Sequence, residues 1–87
     1  MNSRQKKTLA AVFETLARSD VEWSAVESMF RALGAEIKQG SGSRVRFTLN
    51  GESIVLHEPH PESTLDPAAV RAARAFLVRV GVNKEGA

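Results

Sequence analysis

The chain has 87 residues, with 12 Lys+Arg against 10 Asp+Glu and no cysteine. That length suits one small domain with a thin core, because so short a chain buries only about 60–65% of the surface it exposes unfolded. The missing cysteines exclude disulfides, thiolate metal sites and thiol nucleophiles. No apolar run approaches the roughly 20 residues of a membrane span, and a formal charge of +2 permits an anionic partner without requiring one.

The basic, mildly apolar start Met1–Phe13 reads as an amphipathic helix rather than a signal peptide, so the expected location is the cytoplasm. This first helix is expected from Arg4 to Arg18, with Leu9, Val12, Phe13 and Leu16 at helical spacing. Lys6 and Lys7 mark its polar end. A second helix is expected from Ser24, where Ser24 and Glu27 have capping-box spacing. Val26, Met29, Phe30 and Leu33 form its stripe, and Gly34 follows as a left-handed stop.

The period then changes to two. Ala35–Gln39 predicts a short strand with Ile37 inward. Gly40-Ser41-Gly42 is a flexible link. Ser43–Leu49 alternates, with Val45, Phe47 and Leu49 on one face and Arg44, Arg46 and Thr48 on the other. Asn50-Gly51 is a hairpin turn signal, since a type I′ turn needs two positive φ angles. Glu52–His57 is the returning strand. A two-residue turn pairs positions whose numbers sum to 101, which sets Arg44 opposite His57 and Arg46 opposite Val55. Arg44, Arg46 and His57 then share the face away from the core.

Pro59 and Pro61 belong to a loop. Asp66 caps and Pro67 opens a last helix, ended by Gly81. Its apolar face is Ala69, Val70, Ala73, Phe76, Leu77 and Val80, with Arg71 and Arg74 opposite. Residues 83–87 are expected to be a frayed tail. The class is α+β, in the order α-α-β-β-β-α: one domain, 1–87, with a three-stranded antiparallel meander covered by helices on one face.

From Ser24 onward the chain resembles the HicA toxins, small ribonucleases of bacterial toxin–antitoxin pairs. The resemblance is carried by the helix ending in Leu33-Gly34, the link Gly40–Ser43 before an alternating hairpin, His60-Pro61 after the third strand, and the step Val80-Gly81. It spans about 24–82 and leaves the helix expected at 4–18 as an addition. It implies a fold like a double-stranded-RNA-binding domain, mRNA cleavage, and neutralisation by a HicB-like antitoxin. The family's catalytic histidine lies in a Gly-Ser-x-His stretch. Matching the inward and outward alternation puts Arg44 there, and an arginine stays protonated and cannot serve as a base.

His57 is therefore the first candidate for the proton transfers of metal-free RNA cleavage, because an imidazole's unperturbed pKa of about 6.5 suits both base and acid roles. Its position opposite Arg44 lets it occupy the place of the absent histidine, with Arg44 on phosphate. The plainer reading is a strand histidine without a role. His60 matches the family's His-Pro; the alternative is a residue that only shapes the loop. Arg44, Arg46, Lys38, Arg71 and Arg74 are candidate RNA contacts, against the reading of an ordinary solvated face. Trp23 and Phe47 fit the core pattern better than base stacking. His57, His60, Glu58, Glu62 and Asp66 match no standard metal spacing, so no metal and no other cofactor is expected. The expected partners are mRNA and a HicB-like protein. Two other classes stay open: a non-catalytic RNA-binding module, and an interaction domain that docks a protein on its open sheet face.

Overall fold

In the computed structural model, which describes residues 1–86, two of three helices pack on one face of a three-stranded sheet and the N-terminal helix packs against those two. The elements are α1 (Ser3–Val12), α2 (Trp23–Ala32), β1 (Glu36–Gln39), β2 (Arg44–Leu49), β3 (Glu52–His57) and α3 (Pro67–Arg79). The sheet order is β1-β2-β3, all antiparallel. From α2 onward this is the helix–three strands–helix pattern of a double-stranded-RNA-binding domain, with α1 added in front.

The hairpin follows from its turn. Asn50 and Gly51 have φ of 51° and 79°, both in the left-handed region. With a two-residue loop the register is fixed, and Arg44↔His57, Val45↔Leu56, Arg46↔Val55, Phe47↔Ile54 and Thr48↔Ser53 are the partners. The Glu58 amide donates to the Ser43 carbonyl at 2.7 Å, which makes 43 and 58 a hydrogen-bonded pair. Alternation then makes Arg44/His57, Arg46/Val55 and Thr48/Ser53 non-hydrogen-bonded pairs, whose side chains lie closer together. The Thr48 and Ser53 hydroxyl oxygens, 2.8 Å apart, show that closeness directly.

The inward residues Val45, Phe47, Leu49 and Leu56 meet Val26, Met29 and Phe30 of α2 and Val70, Ala73, Phe76 and Leu77 of α3 in one buried core. Phe47 sits at its centre. Its ring centroid is 4.5 Å from that of Phe30 and 5.8 Å from that of Trp23, the latter edge-on. Trp23 and Phe47 are thus core residues and unavailable to bases. Asp66 caps α3 by accepting from the Ala69 amide at 2.8 Å, with Pro67 at the first helical position.

Several boundaries differ from the sequence reading, among them the start of α1 at Ser3 rather than Arg4 and of β2 at Arg44 rather than Ser43. The first helix stops at Val12 instead of Arg18, and Leu16 is 83% exposed rather than on the apolar stripe. A continued helix would give the Val12 carbonyl to the Leu16 amide. Instead Arg74 of α3 donates its Nε to that carbonyl at 2.8 Å. Arg18 meanwhile grips both carboxylate oxygens of Asp20 at 2.8 Å and reaches Glu14 at 3.3 Å, which fixes a non-helical strap. The second helix starts at Trp23, and the Ser24–Glu27 capping box does not form. Its first amide, Trp23 N–H, donates to the Ser63 carbonyl at 2.8 Å, and Leu65 N–H donates to Val21, so the loop before α3 caps the helix through its main chain. A capping box does exist in α1, between Asn2 and Gln5. The first strand begins at Glu36 rather than Ala35. Finally, 83–86 closes a turn through the Asn83 side chain and carbonyl instead of fraying; Ala87 lies outside the described residues.

A cationic sheet face and a histidine hollow

The open face carries Lys38 on β1, Arg44, Arg46 and Thr48 on β2, and Ser53, Val55 and His57 on β3. Register aligns Lys38, Arg46 and Val55 in one row across the sheet, and Arg44 with His57 in the next. All three cations are exposed. Lys38, Arg44 and Arg46, with Gln39, Gly40, Ser41 and Val55, line a concavity of about 260 Å³ that contains no acidic residue. Its edge is tight: Gly40 N–H donates to the Arg44 carbonyl at 2.7 Å, and a Cβ added at Gly40 would lie 3.1 Å from that oxygen. Among the described residues none of these three cations is tied into an ion pair, whereas Arg18 is held by Asp20 and Glu14, and Arg79 by Glu52. A multivalent anion laid on the face would therefore meet free donors.

His57 stands at the border of a second hollow, of about 460 Å³. His60 lines the same hollow, together with Glu58, Glu62, Asp66 and the hydroxyls of Ser19 and Thr64. The loop that follows β3 turns back at Pro59 and Pro61, and this brings the two imidazoles to one depression. Ser19 comes from the strap between α1 and α2. The hydrogen bond from Arg18 also holds the Asp20 carboxyl below the usual carboxylate range, on the exposed strap beside Ser19. Among the described residues no three His, Asp or Glu side chains converge as a metal site.

The candidates separate accordingly. Lys38, Arg44, Arg46 and His57 share one face, and His57 and His60 share one hollow. Arg71 is exposed on α3, on the helical side of the sheet. Arg74 lies there too, partly buried, with its Nε committed to α1. Neither joins the sheet cations. Sequence reasoning missed Gln39, Gly40 and Ser41 as walls of the basic concavity. The signal was present: so short a link forces β1 and β2 to be neighbours, which folds the Gly/Ser segment beside Arg44. Ser19 carried no such signal.

A family model described as the HicA toxin of bacterial toxin–antitoxin systems matches residues 23–79, which takes in α2, the whole sheet, both histidines and α3. No curated protein and no solved structure matches the chain. With the α-β-β-β-α core in place and the match covering more than half of its length, the chain belongs to the HicA family of toxins.

Proposed function

We propose that the protein is the RNA-cleaving half of its toxin–antitoxin pair, acting on mRNA in the cytoplasm without a metal. The observation that carries this reading is the Arg44–His57 pair on a face of unpaired cations. RNA supplies its own nucleophile. His57 takes the proton of a 2′-OH, the 2′-oxygen attacks the adjacent phosphorus, and the bond to the 5′-oxygen breaks. His60 gives that oxygen a proton, leaving a 2′,3′-cyclic phosphate and a 5′-OH. Arg44 neutralises charge as it grows on the phosphoryl oxygens. The two imidazoles cover both proton transfers, so cleavage is expected to persist in a chelator.

The second reading, RNA binding without cleavage, is supported by Arg44 in place of the family histidine. The third, a pure interaction domain with no RNA role, is disfavoured by composition: Val55, 41% exposed, is an isolated apolar residue among Lys38, Arg46, Thr48 and Ser53, a face suited to an anion.

Binding should be electrostatic first, with affinity falling steeply as salt rises. Arg44→Ala and Arg46→Ala should each weaken binding to all RNA sequences and lower the slope of log K against log salt by about one contact. Titrations at several salt concentrations check this; unchanged slopes in both variants would remove the face from the RNA site. A HicB-like antitoxin silences the protein by covering the same face. Co-expression with the neighbouring gene should rescue growth, and the purified complex should have lost RNA binding. A complex that still binds RNA would mean inhibition by another route.

A further inference from the structure

The two depressions meet at the Arg44–His57 pair and have opposite character. One side presents Lys38, Arg44 and Arg46 and no carboxylate. The other presents Glu58, Glu62 and Asp66 around the imidazoles. Phosphate fits the first and is repelled by the second. The second is still large enough for an organic group: small-molecule sites start at about 300 Å³. Its walls include Pro59, Leu65, Pro67 and Ala69, flat or aliphatic surfaces against which a ring can lie. Asp66 spends one carboxylate oxygen on the Ala69 amide. Glu58 and Glu62 are exposed and, among the described residues, their carboxylates hold neither an ion pair nor a hydrogen bond.

Resting on the function proposed above, we infer that this hollow is a base subsite: it takes one unpaired nucleobase of the RNA, guanine best, while the adjoining phosphate lies across the Arg44–His57 pair in the cationic concavity. An unstacked base is read on its Watson–Crick edge and sandwiched between apolar side chains. Guanine presents two adjacent donors there, N1–H and the N2 amino group, which match the two oxygens of a carboxylate. Its O6 can accept from an imidazole N–H. Uracil presents one donor between two carbonyl oxygens, so a carboxylate meets repulsion on either side of its single bond. Adenine and cytosine carry one amino group each and fall between. The ribose then sits over His57, where the 2′-OH must be for the proposed base to reach it. Part of the wall, Ser19, belongs to the strap ahead of the matched span 23–79, so the shape of the subsite is partly this chain's own.

The test uses the whole protein and fluorescent heptamers carrying 2′-O-methyl groups, which cannot be cleaved. A uridine heptamer is compared with heptamers holding one central guanosine, adenosine or cytidine. The guanosine heptamer should bind about tenfold tighter than the uridine one, the scale of one good bidentate base contact. Glu58→Gln together with Glu62→Gln should erase that difference, with any general gain from the two lost negative charges shared equally by the guanosine and uridine heptamers. Equal affinity for guanosine and uridine heptamers, or a preference that survives the double substitution, overturns the base subsite. If such equal binding keeps its salt dependence, the RNA-binding function stands while the subsite falls. If no heptamer binds, both fall together.

Discussion

His57→Ala should lower RNA cleavage by about 100–10,000-fold, the usual cost of losing a general acid or base. The chemistry would fail while the surface survives. His57 is an exposed residue at the end of an edge strand, and its backbone pairing with Arg44 does not depend on the imidazole. Affinity for an uncleavable RNA should therefore stay close to the parent's, and induced expression should no longer arrest growth. His60→Ala separates the roles, because it removes the other imidazole of the hollow. Loss at His57 alone leaves His60 as a loop residue. Loss at His60 alone moves the base to the loop and makes His57 a bystander. Cleavage kinetics with a chelator present, beside binding to 2′-O-methyl RNA, distinguish these results. Full activity in the double variant would exclude histidine catalysis and turn attention to Arg44 with a hydroxyl partner such as Ser43.

The largest effect on stability is expected from Phe47→Ala. Phe47 is fully buried on the central strand, between the rings of Phe30 and Trp23. Truncating a buried phenylalanine costs about 3–5 kcal/mol. A domain of this size has only about 4–13 kcal/mol to lose. The melting temperature should drop by at least about 12 °C, and much of the variant should be unfolded at growth temperature. Val55→Ala, on the same sheet but the opposite face, should change stability by less than about 0.5 kcal/mol. Thermal denaturation followed by circular dichroism checks both. A small loss at Phe47 would mean that Trp23 and Phe30 close the gap.

The contrast between Phe47 and Val55 also shows what the sequence made legible. Period-two alternation and one Asn-Gly turn were enough to pair Arg44 with His57, because a local turn fixes register without knowledge of anything distant. Asp66-Pro67 gave the start of α3 for the same reason. The misses were set by long-range partners. The end of α1 is determined by Arg74, 62 residues away in the chain. The start of α2 is determined by Ser63. Leu16 had helical spacing, but the chain leaves the helix before it, and Arg74 meets the Val12 carbonyl instead. Arg74 itself looked like an outward cation because its partner, a helix-end carbonyl on α1, leaves no mark in sequence. The hollow required the loop after β3 and the strap after α1 to come together, and neither alone announces it.

The bond between Arg74 and the Val12 carbonyl has a bearing on grafting as well as folding. The span that the family model matches, 23–79, is smaller than the buried core, since Leu9, Ala11, Val12 and Val80 lie outside it and inside the core. A graft of 23–79 into a relative would carry the hairpin and both histidines yet strip the cover from α2 and α3 and leave a guanidinium without its carbonyl. A graft between such toxins is therefore expected to hold only when it starts at or before Asn2, which caps α1, and runs past Val82, so that Arg74 and α1 move together.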